Sequence, residues 1–253
     1  KTQLQFGKLF VTTVLANQKS QRQTVNLQGG AASTPFEIKA DEYEENRHFL
    51  VGQYFRKNYN KVMQNLPAIT SPVQILRMEV WVTNRNGTTT ETRDVVGLMD
   101  LAESQPYLGP PIINVLTSNE VPTNGTNDLY SRVISLPDAR KPATIFTNLL
   151  GIGLRPVQDF EKTFARKLDS RQYTYNPQVG TLSLSQPLQT DEVLAVAYQY
   201  TYNGRIYQVG EFSQDIPPDS TSATQHVLFL KLLKATSQRT SLPIWSLMMK
   251  NVY

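Results

Sequence analysis

The sequence contains no cysteine, which excludes disulfide bonds and every zinc or iron–sulfur site built on thiolates. Only two histidines, His48 and His226, occur among the 253 residues. Because a histidine-based catalytic zinc site needs about three well-placed donors, two distant histidines do not provide one. We therefore expect neither a metal nor a cofactor.

Long apolar runs are also absent, since no stretch reaches the roughly 18 apolar residues of a membrane-spanning helix. No secretory signal peptide is visible either, because Lys1 leads directly into the alternating segment Leu4–Val14. We therefore expect this chain to be a piece of a longer protein whose targeting signal lies elsewhere, and not itself to span a membrane.

The sequence lacks the usual catalytic motifs: it has no Gly-x-Ser-x-Gly, no P-loop and no His-Glu-x-x-His. Gly151-Ile152-Gly153 lacks the third glycine and the βαβ context of a dinucleotide site. The net charge is +4, but lysine and arginine are scattered rather than gathered in the stripe typical of nucleic-acid binders. We therefore expect a protein that is not an enzyme and binds no nucleic acid.

Apolar residues are plentiful enough for a folded core, at 40% of the chain, whereas charged residues reach only 18%. This charged share is below the usual share of about a quarter. Threonine, serine, asparagine, glutamine and tyrosine fill the difference. Such a composition is typical of secreted and cell-surface β proteins.

The first third of the sequence predicts strands followed by a helix. Two strands are expected at Phe6–Leu15 and Gln21–Gln28. Asp41 and Glu44 have the spacing of a capping box, and apolar residues at three- and four-residue intervals continue up to Pro67. We expect this helix to cover a sheet.

A strand is predicted at Gln74–Thr83 from its period-two alternation. Asn86-Gly87 follows it and is a strong signal for a type I′ hairpin turn. The segment Thr88–Val96 is therefore expected to return antiparallel to the first strand. One face of that strand is predicted to carry Leu76, Met78, Val80 and Val82, and the other face Arg77, Glu79 and Trp81.

Prolines and glycines punctuate residues 106–156, which predicts an ordered connection between two folded parts. We divide the chain into N-terminal strands (1–35), an α+β subdomain (36–105), the connection (106–156) and a mainly β subdomain (157–253). The expected fold class is α+β, predominantly antiparallel β. It combines a helix-covered sheet in the N-terminal half with a β-sandwich-like C-terminal half.

Two hairpins are predicted in the last hundred residues. Tyr173–Tyr175 and Thr181–Leu184 flank the turn of the first. The second joins Val193–Tyr202 to Arg205–Glu211 through Asn203-Gly204, the same turn signal as above. A further strand is expected at Val227–Leu233, and a short terminal helix at 241–249.

The second hairpin places a row of tyrosines on one face of the sheet. If its turn has two residues, Tyr200 faces Tyr207 and Tyr198 faces Val209. Aromatic rings can stack on sugars or hold an extended peptide. The simpler interpretation, which we favour, is that tyrosine is a common strand residue and that this face packs under a loop or a neighbouring domain. The candidate interaction face consists of Tyr198, Tyr200, Tyr202, Arg205 and Tyr207.

An acidic cluster, formed by Asp41, Glu42, Glu44 and Glu45, lies close to His48. It could bind a metal or form an acid–base pair. Its place in the first turn of the predicted helix explains it more simply, because carboxylates are favourable at the positive end of the helix dipole. We therefore expect a structural role and no catalytic residue here.

Seven segments carry a likeness that goes beyond composition, and they keep their order along nearly the whole chain. They are Ala40–Phe49, Gln53–Arg56, Ile75–Asn84, Thr92–Val96, Tyr173–Pro177, Asp191–Phe212 and Trp245–Tyr253. Together they resemble the SprA/Sov family, the giant outer-membrane translocon proteins of type 9 secretion and gliding motility in Bacteroidetes.

The resemblance implies a soluble, non-enzymatic structural and interaction module that is associated with the outer membrane. Such a module would contribute to pore architecture, capping, or the docking of partners and cargo. Its expected partners are the remainder of the parent outer-membrane barrel, accessory secretion-system proteins and secreted cargo. Both the extracellular cap and the periplasmic or lumenal side stay open. The alternative, from the residues, is a cell-surface glycan-binding β domain that uses the tyrosine-rich face.

Overall fold

The computed structural model describes residues 2–6, 9–13, 37–117, 121–217 and 226–253. The chain forms two compact units, Lys1–Ile38 and Lys39–Tyr253. In the first unit, β1 (Thr2–Phe6) pairs antiparallel with β2 (Leu9–Thr13). β2 lies within the strand predicted at Phe6–Leu15, whereas the strand predicted at Gln21–Gln28 lies outside the described residues.

The second unit is mostly β, which confirms the predicted α+β, mainly antiparallel class. Among the described residues, none of its helices has the length and apolar character that a membrane crossing requires. Its elements, in chain order, are β3 (His48–Leu50), α1 (Gln53–Val62), β4 (Val73–Thr83), β5 (Thr92–Leu98), α2 (Leu129–Ile134), α3 (Ile145–Gly151), β6 (Phe160–Lys167), β7 (Tyr173–Asn176), β8 (Thr181–Leu184), β9 (Leu194–Tyr202), β10 (Arg205–Val209), β11 (Leu228–Lys234) and a 3₁₀ helix (Pro243–Leu247).

The larger sheet closes on itself. Its strand order is β10-β9-β11-β5-β6-β4, and β4 pairs in addition with β9. The five strands β9, β11, β5, β6 and β4 therefore form a closed ring, in which β11–β5 is parallel and the other pairs are antiparallel. One end of β9 pairs with β11 and the other with β10, which leaves β10 at the edge of the sheet.

A small apolar core fills the ring. Every ring strand contributes to it, and the alanines on β6 and β9 leave room for the ring of Trp81. A larger core lies on the outer side of the ring, where α1, α2, α3 and the 3₁₀ helix bury apolar side chains. The inner core consists of Trp81, Val95, Ala165, Ala195, Ala197, Phe212, Leu228 and Leu230.

The ring mixes strands from both halves of the sequence, because β4 and β5 precede residues 106–156 whereas β6, β9 and β11 follow them. The predicted β-sandwich-like second half is therefore not a separate sandwich. Its strands find their hydrogen-bond partners on β4 and β5. The four-part division of the chain stays a prediction.

A second, three-stranded sheet has the order β3-β8-β7. Its β7–β8 hairpin confirms the one predicted across Asn176–Gly180. β3 pairs with β8 on the other side, and Phe49 forms an isolated bridge to Met248. The end of the chain is thereby fixed against β3.

The helix predicted from Asp41 starts twelve residues later, at Gln53, with Gly52 as its N-cap residue. The reason is that His48, Phe49 and Leu50 pair with β8, so that strand pairing replaces the helix there. The observed helix buries Phe55, whose ring meets the edge of Tyr198 with centroids 5.9 Å apart.

The hairpin predicted at Asn86-Gly87 is wrong, because β6 lies between β4 and β5. The Asn84 side chain closes the local turn instead: its amide donates to the Thr88 carbonyl at 2.7 Å and its oxygen accepts from the Thr88 N–H at 3.2 Å. The loop between the two strands therefore crosses over the end of β6.

The strand predicted at Gln74–Thr83 is confirmed as β4, but its alternation is interrupted. The pairing with β9 shifts between Ile75 and Arg77, which makes Leu76 a β-bulge residue. Leu76 is consequently 47% exposed, whereas Ile75 and Met78 are buried. The prediction that Leu76 shares a face with Met78, Val80 and Val82 is therefore wrong, and Ile75 is buried in its place.

Candidate functional site

A cleft of about 340 Å³ opens between α1 and the β9–β10 hairpin. The loop before β4, the turn between β7 and β8, and Val121 complete its walls. Aromatic, amide and ammonium groups reach it from these elements: Tyr54, Asn58, Lys61, Gln178, Tyr202 and Tyr207. It is the most aromatic of the clefts described here, and it contains part of the predicted tyrosine face.

The hairpin register behind this cleft is the predicted one. Tyr207 pairs with Tyr200 and Val209 with Tyr198. Asn203 and Gly204 have φ values of 48° and 76°, as a type I′ turn requires. Tyrosines 198, 200, 202 and 207 therefore share one face of the sheet, as the sequence predicts.

Two of the five predicted residues lie in the core. Tyr198 and Tyr200 are 1% and 0% exposed, and burial raises the pKa of both hydroxyls. The Tyr200 hydroxyl donates to the Pro122 carbonyl at 2.6 Å, so the segment around Pro122 covers it. These two rings support the cleft from below and do not meet a ligand.

Tyr202 and Tyr207 are half-buried and line the cleft. The Tyr207 ring stacks on Tyr200 with centroids 5.6 Å apart at 22°, and Tyr202 meets Tyr207 edge-on at 6.5 Å. Among the described residues, neither of their hydroxyls has a hydrogen-bond partner. Both rings are thus held in place while their polar tips stay available.

The fifth predicted residue, Arg205, is exposed at the start of β10. Alternation places its side chain on the same face as Tyr207. Lys61 is the charged residue in the cleft wall, and no carboxylate lines the cleft in the part of the chain that the structure describes. Both cations lack an ion-pair partner among the described residues, so the site is electropositive.

The outer edge of β10 borders this site. At its far end, the Asn124 N–H donates to the Gln208 carbonyl at 3.0 Å. The Asn124 side chain also bonds the Gly210 backbone twice, at 2.8 Å and 3.2 Å. Between Arg205 and Gln208, no described strand pairs with this edge. Ile206 is 62% exposed there.

A buried ion pair fixes the connection segment next to the cleft. Glu211 is 2% exposed and accepts two hydrogen bonds from Arg140, at 2.5 and 2.6 Å. It also accepts from the Tyr130 hydroxyl at 2.7 Å and from the Phe229 N–H at 2.8 Å. Burial next to this carboxylate raises the pKa of Tyr130 to about 12. All the bonds converge on one carboxylate, which ties the α2–α3 region to β11.

A second buried pair lies deeper. The Lys231 ammonium donates to Glu103 at 2.6 Å and to the Met99 carbonyl, and both charged residues are buried. The Asn127 side chain donates to the Asp100 and Glu103 carbonyls, both at 2.9 Å. Lys231 thereby fixes the residues just after β5 against β11, and Asn127 joins the connection segment to those residues.

A larger groove of about 520 Å³ lies at the other end of the ring, between the 84–91 loop and residues 185–192. Its loop is held by Lys234, which donates to the carbonyls of Gln189, Thr190 and Glu192 at 2.7–3.1 Å. Burial lowers the pKa of Lys234 to about 8. The groove is lined by a mixture of apolar, amide and charged side chains and has no aromatic ring.

The acidic cluster does not form a site of its own. Glu44 binds Arg47 at 2.8 Å and His48 Nε2 at 2.6 Å, and the hydrogen bond with His48 lowers the pKa of Glu44. His48 Nδ1 lies 2.8 Å from Ser183 Oγ on β8. In the part of the chain that the structure describes, no three His, Asp or Glu side chains gather as metal ligands would.

Sequence reasoning missed the residues that α1 and the connection contribute to the cleft. Tyr54, Asn58 and Lys61 are spaced by four and three residues, which places them on one face of α1. That signal was available in the sequence. Asn124 was interpretable only as a turn residue, because its contacts with β10 span 86 residues.

Comparison with known proteins gives one family match. Residues 1–99 match the family model SprA_N, described as a motility related/secretion protein. The matched range ends just after β5, before the connection segment. A search of curated proteins finds no match.

Proposed function

The chain belongs to the SprA/Sov family, whose N-terminal model its residues 1–99 match, and on that premise we propose a structural and interaction module of a secretion translocon. The translocon is that of type 9 secretion and gliding motility in the outer membrane. The family match is the observation that carries the proposal, since it describes a motility- and secretion-related protein.

The packing supports a scaffold role. Among the described residues, β10 is the one strand added at the edge of the closed ring. The Arg140–Glu211 ion pair fastens the connection segment, and the Lys231–Glu103 ion pair fixes the residues just before that segment. Such pairs are strongly destabilising to break, so they hold one defined surface in place. A docking module needs that property, because ordering a surface only on binding costs affinity.

The proposed role is not catalytic. Among the described residues, the hydrogen-bonded row Ser183, His48 and Glu44 is the arrangement that most resembles a set of catalytic side chains. It runs along the β3–β8 pairing, and Glu44 is also held by Arg47. These bonds join the segment before β3 to the neighbouring strand β8, so their role is structural.

The proposed partners are the remainder of the parent protein, accessory secretion-system proteins and secreted cargo. The aromatic cleft and the β10 edge are the surfaces for such a contact. They combine half-buried rings, exposed cations and open backbone groups, the features that peptide-binding surfaces share.

The proposal is tested by deleting residues 39–253 in frame from the parent protein in its host. We expect secreted proteins to disappear from the medium and gliding on agar to stop, while immunoblotting still detects the truncated parent. Normal secretion and gliding with the truncated parent present would refute the proposal.

A cell-surface glycan-binding domain is the second candidate, favoured by the available hydroxyls of Tyr202 and Tyr207. Titration with oligosaccharides tests it. Saturable binding that is lost in both Tyr202→Ala and Tyr207→Ala, but kept in Tyr175→Ala outside the cleft, would replace our preference. Absence of binding across glucan, chitin and mannan oligomers would remove this candidate.

A further inference from the structure

We propose that the β10 edge and the aromatic cleft together form a binding site for an extended acidic peptide segment, which adds a strand to β10. This inference rests on the proposed docking function and names the chemistry of its ligand. Three observations support it: the outward direction of backbone groups on β10, the cleft beside β10, and the positive charge of both.

The first observation concerns the backbone of β10. In a two-residue hairpin the terminal pair, here Tyr202 and Arg205, is hydrogen-bonded, and alternate residues then direct their N–H and C=O groups away from the partner strand. Gln208 is one of these outward-directed residues, since its carbonyl accepts a hydrogen bond from Asn124 on the outer side. Ile206 lies two positions before Gln208, so its N–H and C=O also point outward.

The chain itself already uses this edge. Asn124 occupies the Gln208–Gly210 end with one hydrogen bond from its backbone N–H and two through its side chain amide. It stops before Ile206, and no described residue continues along the edge. An incoming segment would extend the pairing by the N–H of Gln208 and both backbone groups of Ile206.

The second observation is the cleft on one face of that edge. A strand added beside β10 alternates its side chains, so every second one lies on the face of Tyr207. The cleft volume of about 340 Å³ accommodates one or two large side chains there. The Tyr202 and Tyr207 hydroxyls are positioned to bond a neighbouring carboxylate or backbone carbonyl. The other face offers Ile206 for apolar contact.

The third observation is charge. Lys61 stands in the cleft wall and Arg205 at the start of β10, both exposed, and no described carboxylate pairs with either. A ligand with carboxylates on the cleft face would supply the missing partners. A basic segment would meet like charge instead, which selects against it.

The test uses the 253-residue chain and two synthetic peptides, acetyl-Glu-Val-Asp-Tyr-Asp-Val-Glu-amide and its counterpart with lysine at every acidic position. We expect saturable binding of the acidic peptide, observed by fluorescence anisotropy, at an affinity at least about tenfold above that of the lysine peptide. Binding should weaken with added salt, because exposed charges are screened.

Lys61→Glu and Arg205→Glu should each weaken binding of the acidic peptide by about tenfold. The matched control is Lys57→Glu, which changes the same charge on the same helix outside the cleft and should leave binding unchanged. Equal losses in all three variants would show a non-specific charge effect and overturn the site.

Strand addition is tested separately. Ile206→Pro removes an outward N–H without breaking a bond to β9, and it should abolish binding, whereas Ile206→Thr keeps the N–H and should retain it. If Ile206→Pro unfolds the hairpin, peptides carrying an N-methyl group at successive positions replace it. Loss of binding at alternate positions supports strand addition, and equal binding of all methylated peptides refutes it.

Two other outcomes overturn the site. Binding of oligosaccharides but of neither peptide would assign the cleft to glycans. Absence of all binding, with the deletion of residues 39–253 still abolishing secretion, would remove this peptide site and leave the docking module intact. A deletion without effect on secretion would instead remove the module, whatever the peptide results are.

Discussion

At the scale of single residues, the Glu211 carboxylate holds the connection segment through Arg140 and Tyr130. Replacing Arg140 by Met leaves this carboxylate buried and without its two shortest bonds. We expect Arg140→Met to lower the free energy of unfolding by about 3–5 kcal/mol, because an uncompensated buried charge remains. Urea unfolding followed by circular dichroism measures it.

The matched control for this prediction is Arg85→Met. Arg85 pairs with Asp191 at 2.9 Å, but 45% of its side chain and 63% of its partner's are exposed. An exposed pair contributes about 0–1 kcal/mol. Equal effects of the two substitutions would contradict the central role of the Glu211 carboxylate.

Gly180 is a second residue on which stability depends, because no larger side chain fits at its position. Its φ is +72°, and an added Cβ would lie 2.0 Å from Cδ1 of Phe55, a buried residue of α1. Gly180→Ala should therefore destabilise the protein by about 3 kcal/mol or more, through left-handed strain and a displaced Phe55 ring.

Gly204→Ala is the comparison for Gly180→Ala. It has a similar φ of +76°, but its Cβ would have no atom within 4 Å. Strain alone predicts a loss of about 1–2 kcal/mol. Both values come from thermal or urea unfolding, and a Gly204 variant as unstable as the Gly180 variant would refute the steric argument.

At the scale of elements, the bulge in β4 and the alternation of the sequence predict different effects for a substitution at Leu76. Strict alternation places Leu76 in the core, whereas the structure exposes it. Leu76→Lys should change the free energy of unfolding by no more than about 0.5 kcal/mol. Met78→Lys, which puts a charge in the core, should cost about 3 kcal/mol or more. The reverse order of the two midpoints in urea would show that β4 has no bulge.

Local sequence signals predicted correctly those elements whose pairing partners lie close by in the sequence. The β7–β8 and β9–β10 hairpins were predicted correctly because turn residues and alternation lie within a few positions of each other. The start of α1 was not, because Glu44 has capping-box spacing while the residues after it pair with β8, over 130 positions away. Long-range strand pairing outweighed local helix propensity there.

The same contrast holds for the candidate site. Alternation alone placed Tyr202, Arg205 and Tyr207 on one face, and the structure keeps them there. It did not distinguish them from Tyr198 and Tyr200, because which part of the face is covered depends on Pro122 and Phe55. Burial by a remote segment leaves no local sequence signal.

At the scale of the whole molecule, closure of the ring joins β4 and β5 to strands about a hundred residues later. No turn motif encodes such pairings, so the sequence supported the mainly β class but not the ring. β6 separates β4 from β5 for the same reason: the hairpin signal at Asn86-Gly87 describes a turn and does not identify the strand that follows it in the sheet.

Alkaline stability depends on the buried tyrosines of the whole core. Burial raises the pKa of Tyr198 and Tyr200, and that of Tyr130 to about 12, from an ordinary value of 10.0. Above pH 10 the unfolded chain loses these protons while the folded chain keeps them, so stability should fall as pH rises from 10 to 12.

Lys234 has the opposite effect on stability, because its pKa of about 8 in the folded chain lies below the ordinary 10.5. Between pH 8 and 10.5 the unfolded chain keeps this proton while the folded chain has lost it, so stability rises with pH over that range. Urea midpoints at pH 9, 10, 11 and 12 measure the balance. We expect the decline above pH 10 to be shallower in Tyr130→Phe. A midpoint that stays constant to pH 12 would contradict the burial of these hydroxyls.

The central claim is that the electropositive cleft beside β10 docks a partner during secretion. Its most direct measurement is the amount of secreted protein from cells whose parent protein carries Lys61→Glu together with Arg205→Glu. We predict a clear loss of secretion with normal levels of the parent protein, and no loss in Lys57→Glu cells. Unchanged secretion in the double variant would contradict the account.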